Sequence, residues 1–158
     1  TFATSTKTCV SHEIAKKAKK AQPGNLVIAT TSENDEDLCK AVVWLGNEEI
    51  AISNHTAIYA HNENPKFMSY FFQTKSFFKQ KRKLITGTKV REISAKKLEK
   101  INIQLPPLAE QERIVDILDK FDALVNDLST GLPAEIEARR KQYEYYRNKL
   151  LTFEEVPS

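Results

Sequence analysis

Apolar residues in the first two thirds of the chain occur in short runs that predict β-strands. The runs cover residues 26–30, 41–45, 50–52, 57–60 and 101–105, and Val and Ile are frequent in them. Turn-forming residues separate several of the runs, as at Pro23-Gly24-Asn25 and Gly46-Asn47. Short strands at such close spacing indicate a small mixed or antiparallel sheet.

Two other segments show apolar residues at helical spacing. Residues 7–21 place Ile14, Ala15, Ala18 and Ala21 on one face among lysines, with Ser11 as the candidate N-cap. Asn64-Pro65 is expected to open a second helix over residues 66–79. The aromatic residues of this helix are too numerous for one narrow stripe, so we expect it to be substantially buried against the sheet.

After Pro106-Pro107 the apolar residues follow a heptad-like spacing. The seam of a first helix consists of Ile114, Leu118, Phe121, Val125 and Leu128. Residues 129–132 interrupt it, Pro133 is placed as the first residue of a second helix, and the second seam consists of Ile136, Arg139, Tyr143, Tyr146, Leu150 and Phe153. This pattern predicts a helical hairpin or an extended rod that needs a partner, which a second copy of the chain could supply. The alternative is ordinary packing of both helices back onto the globular part.

These segments together predict an α+β fold. A small mixed sheet with helices would occupy residues 1–105, and a long helical hairpin or coiled-coil spacer would occupy residues 106–158. We expect no membrane association, because no run approaches the ~20 apolar residues of a membrane span and the first residues lack a signal-peptide core. The missing initiator Met suggests a fragment or a processed chain. Cys9 and Cys39 provide no disulfide framework, so we expect reduced thiols in a cytoplasmic protein.

The net charge of +3 is unevenly distributed along the chain. Residues 75–100 contain ten Lys and Arg against two acids, whereas residues 110–137 contain eight acids against two bases. A basic block beside a domain core suits a polyanion, and helices of opposite charge suit each other or a protein partner.

Sequence motifs of catalysis are weak. The four glycines are too far apart for a phosphate-binding loop, and the three histidines lack the spacing of metal ligands. Asn64-Pro65-Lys66-Phe67 departs at Lys66 from the Asn/Asp-Pro-Pro-Tyr/Phe motif of amino-methyltransferases, and no glycine-rich S-adenosylmethionine loop precedes it. The residues therefore favour binding over catalysis.

Cations and hydroxyl side chains cluster around Gly87 and are the candidate DNA contacts. Lys and Arg pair with phosphates and can also donate to guanine in the major groove, while short hydroxyls add further donors. The candidates are Lys81, Arg82, Lys83, Thr86, Gly87, Thr88, Lys89 and Arg91. Thr30, Thr31, Asn54 and His55 follow predicted strands and are further candidates for facing DNA. The alternative is a lysine-rich surface loop without a ligand.

Three segments share a pattern with one known family. The junction reads Leu105-Pro106-Pro107-Leu108-Ala109-Glu110-Gln111-Glu112-Arg113-Ile114, and 131–143 with Leu150-Leu151 closes the chain in the same style. Pro23-Gly24-Asn25-Leu26 has Asn25 where this family usually has Asp. In these segments the chain resembles the specificity subunit of type I restriction-modification enzymes.

This resemblance implies a function and a set of partners. Residues up to about Gln104 would be the later part of a target recognition domain, which reads one half of a split target in double-stranded DNA. The helices would set the gap between the two halves, dock methyltransferase subunits and reach the restriction subunit indirectly. The chain would be no enzyme and would bind no cofactor, because S-adenosylmethionine, ATP and Mg²⁺ would be bound by the partner subunits.

Two other functions compete with this interpretation. The chain could be a helix-mediated regulatory protein that binds methyltransferase subunits without reading DNA. It could also be a small DNA-modifying enzyme, which the missing catalytic motifs disfavour.

Overall fold

A computed structural model describes residues 2–127 and 133–152. In chain order the elements of this part are β1 (Phe2–Ala3), α1 (His12–Lys17), β2 (Lys19–Ala21), β3 (Leu26–Ala29), β4 (Thr31–Ser32), β5 (Ala41–Trp44), β6 (Ile50–Ile52), β7 (Thr56–Tyr59), α2 (Pro65–Phe71), α3 (Lys75–Arg82), β8 (Arg91–Glu92), α4 (Ala95–Leu98), α5 (Leu108–Asp127) and α6 (Pro133–Leu150). The predicted α+β class is confirmed.

The largest sheet has four strands in the order β1-β5-β3-β7. Strand β1 runs parallel to β5, whereas β3 is antiparallel to both β5 and β7, so the sheet is mixed as predicted. Leu26 and Ile28 are buried while Val27 and Ala29 are half-exposed, which is the alternation of a strand with one face on the core. Two small antiparallel pairs, β2-β6 and β4-β8, lie outside this sheet.

The helix predicted over residues 7–21 is too long. Ser11 caps α1 by accepting a hydrogen bond from the Ile14 amide at 3.4 Å, which confirms the start of the helix. The chain turns extended at Ala18, and residues 19–21 pair with β6. The backbone of these residues gains a strand partner that local helix propensity could not reveal. The expected apolar face is also wrong, because Ile14 is exposed.

The helix predicted over residues 66–79 is two helices. Asn64 caps α2 as expected, accepting hydrogen bonds from the amides of Lys66 at 3.0 Å and Phe67 at 3.1 Å. The helix ends at Phe71, and Thr74 caps α3 with a hydrogen bond from the Phe77 amide at 3.2 Å. The Thr74 hydroxyl thus accepts a backbone hydrogen bond that starts a new helix, so the first helix does not continue through this position. The predicted burial of the aromatic residues is confirmed for α2 and for Phe77 of α3, whereas Phe78 is exposed.

The strand predicted at residues 101–105 does not form in this described segment. Its backbone is instead held by the side chain of Gln80, whose Nε2 donates to the Asn102 carbonyl at 3.0 Å and whose Oε1 accepts from the Asn102 amide at 2.9 Å. Ile101 and Ile103 still pack against the core, so the apolar alternation reports burial without a sheet.

Helices α5 and α6 pack against each other, as the hairpin prediction requires. At one end the two helices also pack back onto the globular part, which was the alternative prediction. Ile114, Leu118 and Leu151 are buried there in the same core as the sheet and α2. Farther along, Phe121 stacks on Tyr146 with ring centroids 5.6 Å apart. Of the other seam residues, Val125, Ile136, Tyr143 and Leu150 are half-buried. Pro133 begins α6 as predicted, whereas Leu128, the break at 129–132 and Phe153 lie outside the described residues.

The core is therefore continuous from the sheet into the bases of α5 and α6. The proposed division at residue 105 stays a prediction. In the described part of the chain, no helix has the length and apolar character needed to cross a membrane.

Candidate nucleic-acid interface

Strand pairing closes the loop that carries most of the predicted DNA contacts. Thr86 and Glu92 exchange backbone hydrogen bonds of 3.0 and 2.8 Å, and Glu92 lies opposite Thr31 in the β4-β8 pair. The Thr86 hydroxyl also donates to the Glu92 carbonyl at 3.0 Å. The loop over residues 86–92 is thus tied at its base and joined to β4.

Gly87 is needed for the turn inside this loop. Its φ is +88°, a conformation that residues with a side chain rarely adopt. A Cβ at this position would also collide with the carbonyl oxygen of Val90. Glycine therefore allows the tight path that presents Thr86, Thr88 and Lys89 as exposed side chains.

Thr30 joins two separate groups of predicted contacts. Its carbonyl accepts a hydrogen bond from the Ile93 amide at 3.0 Å, and its amide donates to the His55 carbonyl at 2.9 Å. The turn containing Asn54 and His55 therefore lies beside Thr30, with the 86–91 loop also attached there. We call residues 30–31, 53–55 and 86–91 the loop surface. Asn54 and His55 are exposed in it, and Thr30 and Thr31 are half-buried.

Lys81 does not belong to this exposed set. It is only 2% exposed, and its Nζ donates to the carbonyls of Asp35 and Leu38, each at 2.7 Å. The ammonium also lies 4.0 Å from the centroid of the Phe78 ring. Burial lowers the pKa of Lys81. The DNA contact predicted for Lys81 does not fit this position, because the ammonium is already engaged in holding the 35–38 loop onto α3.

Arg82 and Lys83 are exposed at the end of α3, where the prediction placed them. They line a groove together with Lys75 and Lys79, which were not among the predicted contacts. We call this groove, lined by Lys75, Lys79, Arg82 and Lys83, the α3 groove. Asp35, Glu36, Phe78, the buried Lys81 and Ile85 also line it, and Ile85 directly precedes the loop surface. The four-residue steps from Lys75 to Lys79 to Lys83 were the available signal that these cations share one helical face.

Arg91 is positioned by two neighbours. Its Nε lies 3.0 Å from Oδ1 of Asp35, and its Nη1 donates to the Gly87 carbonyl at 2.8 Å. Arg91 is therefore both a predicted contact and part of the frame of the loop surface.

The junction before α5 contains a buried polar residue. Gln111 is 0% exposed, and its Oε1 accepts a hydrogen bond from the Asn64 amide at 3.0 Å. Its Nε2 donates to the Glu63 carboxylate at 2.6 Å and to the Pro106 carbonyl at 2.8 Å. Gln111 thus ties the start of α5 to the start of α2. Its position on the apolar face of Ile114 and Leu118 was the signal that could have revealed it.

A second polar contact joins α2 to α5 eight residues farther along α5. Asp119 forms an ion pair with Lys66 and accepts a hydrogen bond from the Tyr70 hydroxyl at 2.6 Å. Burial and this carboxylate both raise the pKa of Tyr70, so its hydroxyl remains a donor at neutral pH. The orientation of α5 relative to α2 is fixed at two levels.

Helix α6 is attached to the globular part as well. Nη2 of Arg147 donates to the Gln73 carbonyl at 2.9 Å, and Oδ1 of Asn148 accepts from the Lys75 amide at 3.0 Å. These contacts satisfy backbone groups at the break between α2 and α3.

Comparison with known proteins identifies the family. The type I restriction modification DNA specificity domain matches residues 3–138. The Type I restriction enzyme EcoR124I/EcoR124II specificity subunit of Escherichia coli is 56% identical over 68 residues, which is 43% of this chain and 17% of that one. A Haemophilus influenzae protein whose name places it among type I restriction enzyme specificity subunits is 36% identical over 112 residues, covering 71% of this chain and 25% of that one.

A third relative is the Type I restriction enzyme MpnII specificity subunit of Mycoplasma pneumoniae. It is 49% identical over 61 residues, which is 39% of this chain and 18% of the relative. The chain spans a quarter or less of the length of these three relatives. The resemblance drawn from the junction motif is confirmed, and the chain belongs to the family of the type I restriction modification DNA specificity domain.

Proposed function

We propose that this chain is a DNA-recognition part of a type I specificity subunit and reads one half of a bipartite target without catalysing a reaction itself. One observation carries this proposal. The loop surface gathers exposed hydroxyl, amide and basic side chains on a hydrogen-bonded frame, in a chain that belongs to the specificity domain family. Such a surface can approach base edges without a large ordering cost.

The exposed cations would supply the affinity. Arg82 and Lys83 lie in the α3 groove and Lys89 lies in the loop surface, and none of the three forms an ion pair within the described residues. Unpaired cations contact phosphates and release counterions, which makes affinity depend on salt. The hydroxyl and amide groups would then address the bases.

A charge-removal variant tests this assignment. Replacing Arg82, Lys83 and Lys89 with Ala should lower the affinity for duplex DNA. Each lost phosphate contact should reduce the slope of log affinity against log salt by about 0.9, so the full loss is about 2.7. Fluorescence anisotropy with a labelled duplex between 50 and 200 mM salt, which is roughly the range where such contacts are resolved, measures both quantities.

A matched control removes the same charge from the helices. Lys120, Arg140 and Lys141 are exposed on α5 and α6, and their replacement with Ala should leave most of the salt slope in place. Equal slopes for wild type and the Arg82, Lys83 and Lys89 variant would contradict the assignment of these residues to phosphates.

We further propose that α5 and α6 dock methyltransferase subunits and, through them, the restriction subunit. Leu124 is 52% exposed on α5, and Tyr145 and Tyr146 are exposed on α6, so the helices offer apolar surface that a protein partner would bury. S-adenosylmethionine, ATP and Mg²⁺ would be bound by these partners, in the cytoplasm.

A methylation assay separates this function from its competitors. Sequence-specific methyl transfer by the chain together with a methyltransferase subunit supports DNA reading. Inhibition of methylation without sequence-specific transfer would favour the helix-mediated regulatory protein. Cutting or methylation of DNA by the isolated chain with Mg²⁺ and S-adenosylmethionine would favour an enzyme.

Pairing of two copies through the helices is part of the same proposal. A paired chain would present two loop surfaces and so imitate a subunit with two recognition parts. Sedimentation equilibrium over a range of concentrations tests this, and a strict monomer at high concentration would contradict it.

A further inference from the structure

The guanidinium of Arg91 makes one ion pair and one hydrogen bond. Nε lies beside the Asp35 carboxylate at 3.0 Å, and Nη1 donates to the Gly87 carbonyl at 2.8 Å. The side chain is nevertheless 37% exposed. No acceptor for Nη2 occurs among the residues that the structure describes.

The remaining donors suit one base. A guanidinium has five N–H groups, and one of those on Nη1 donates to Gly87, so the adjacent nitrogens Nη1 and Nη2 still offer donors. In the major groove only guanine presents two neighbouring acceptors, O6 and N7. Adenine pairs its N7 acceptor with an N6 donor, cytosine presents a donor, and thymine presents one acceptor beside a methyl group.

Both neighbours of Arg91 are themselves fixed. The carbonyl of Asp35 accepts a hydrogen bond from buried Lys81, and Gly87 lies in the closed turn of the loop surface. The backbone of Arg91 is paired with Ser32 in the β4-β8 ladder. The side chain is therefore ordered before any ligand arrives, which reduces the entropy lost on binding.

The local charge favours a base over a phosphate. The Asp35 carboxylate neutralises the Arg91 charge and would repel a phosphate at the same position. Arg82, Lys83 and Lys89 carry no such acid partner within the described residues and are better phosphate contacts.

We propose that Arg91 reads a guanine in the target half-site through Nη1 and Nη2, and that Asp35 is the residue that positions the Arg91 side chain for this contact. This inference rests on the proposed function and names one base that the loop surface recognises.

The test begins with the wild-type chain and a pool of randomised duplexes. Repeated selection for binding should enrich a motif that contains at least one guanine. Each selected guanine is then replaced in turn by 7-deazaguanine, which lacks the N7 acceptor. We expect a loss of roughly tenfold in affinity at one position, because one of the two acceptors of the bidentate contact is gone.

Variants of Arg91 test whether this residue contacts the guanine at that position. Arg91→Ala should bind the natural and the 7-deazaguanine duplex equally well at this position and should keep its sensitivity at the others. Arg91→Lys retains the charge but lacks the planar pair of donors, so its preference for guanine should be smaller than that of wild type. Because Arg91→Lys is the milder change, it also serves if Arg91→Ala fails to fold.

Asp35→Asn separates positioning from charge. A carboxylate that acted only by repelling DNA would, once removed, raise the affinity for all duplexes and leave the base preference unchanged. Positioning predicts instead that the preference for guanine over the other bases at this position falls. Glu33→Gln removes the same charge from an exposed residue of the same loop and should leave the preference intact.

Two other outcomes would contradict the proposals: one overturns the role of Arg91, and the other overturns DNA recognition. If Arg91→Ala weakens binding to all duplexes equally and lowers the salt slope by about 0.9, Arg91 contacts a phosphate and this inference is wrong while DNA recognition stands. If wild type enriches no motif at all, the proposed function itself fails.

Discussion

At the scale of single residues, burial decides what a cation does. Lys81, Arg82 and Lys83 are adjacent in the sequence and were predicted to share one role. Lys81 follows buried Phe77 by four residues on α3, so its side chain lies on the core side of the helix, while its two neighbours are exposed. The same charge therefore serves the fold at one position and is available to a ligand at the next two.

Lys81→Met tests this structural role. The substitution keeps the aliphatic length but leaves the Asp35 and Leu38 carbonyls without their donor. We expect a loss of about 1–3 kcal/mol in the free energy of unfolding, the usual cost of an unsatisfied buried acceptor. Urea denaturation measures it. Arg82→Met is the matched control and should change stability by no more than about 0.5 kcal/mol, so equal effects of the two variants would refute the distinction.

Part of the loop surface could be predicted from the sequence, but the contact between Arg91 and Asp35 could not. Thr86, Gly87 and Thr88 are consecutive, so their common loop was visible in the sequence. Arg91 and Asp35, by contrast, are far apart in the chain and meet because β8 pairs with β4, and two-residue strands leave no periodic signal. The neutralised charge of Arg91 was therefore out of reach of sequence reasoning.

At the scale of elements, polar side chains decide where helices and strands end. The sequence correctly placed the starts of α1 and α2, because Ser11 and the Asn64-Pro65 pair are local signals. The ends were mispredicted at Ala18 and Phe71, where a distant strand and the Thr74 cap determine the structure. Apolar periodicity thus located the buried face of α2 but not that of α1, and it located neither C-terminal end.

Gln111 controls the joint between α2 and α5. Gln111→Leu should reduce the free energy of unfolding by about 1–3 kcal/mol, because the Asn64 amide and the Glu63 carboxylate lose their partner in a buried site. The Asn64 amide should also exchange its hydrogen faster, since its acceptor is gone. Urea denaturation and amide exchange followed by NMR check the two effects.

Gln142 provides the control for this change. It is exposed on α6, so Gln142→Leu should have little effect on stability or on exchange at Asn64. An unchanged exchange rate at Asn64 in Gln111→Leu would show that the hydrogen bond does not protect this amide.

At the scale of the whole molecule, the sheet and the two long helices share one core. Leu118 is fully buried with the residues of β3 and α2, although the sequence placed it in a seam facing another helix. A heptad pattern shows which face of a helix is apolar but not which element covers that face. The spacing alone therefore could not distinguish a helical hairpin from packing of both helices onto the globular part.

Leu118→Ala tests the shared core. We expect a loss of about 2–5 kcal/mol in the free energy of unfolding, from the cavity and the lost burial. The fluorescence of Trp44, buried in β5, and the far-ultraviolet circular dichroism of the helices should lose their native signals in one coincident transition. Leu124→Ala, on the exposed side of the same helix, should cost much less. Separate transitions for the two probes would show that the helices unfold independently.

The Gln111 joint has a consequence for exchanging recognition parts between proteins. A transplanted part that brings the Glu63 carboxylate and the Asn64 amide to the position where Gln111 meets them keeps one of the two polar contacts that set its direction on a new spacer. Gln111 and residues 63–64 must therefore match each other, and grafts that keep residues 63–64 should remain functional more often than grafts that replace them.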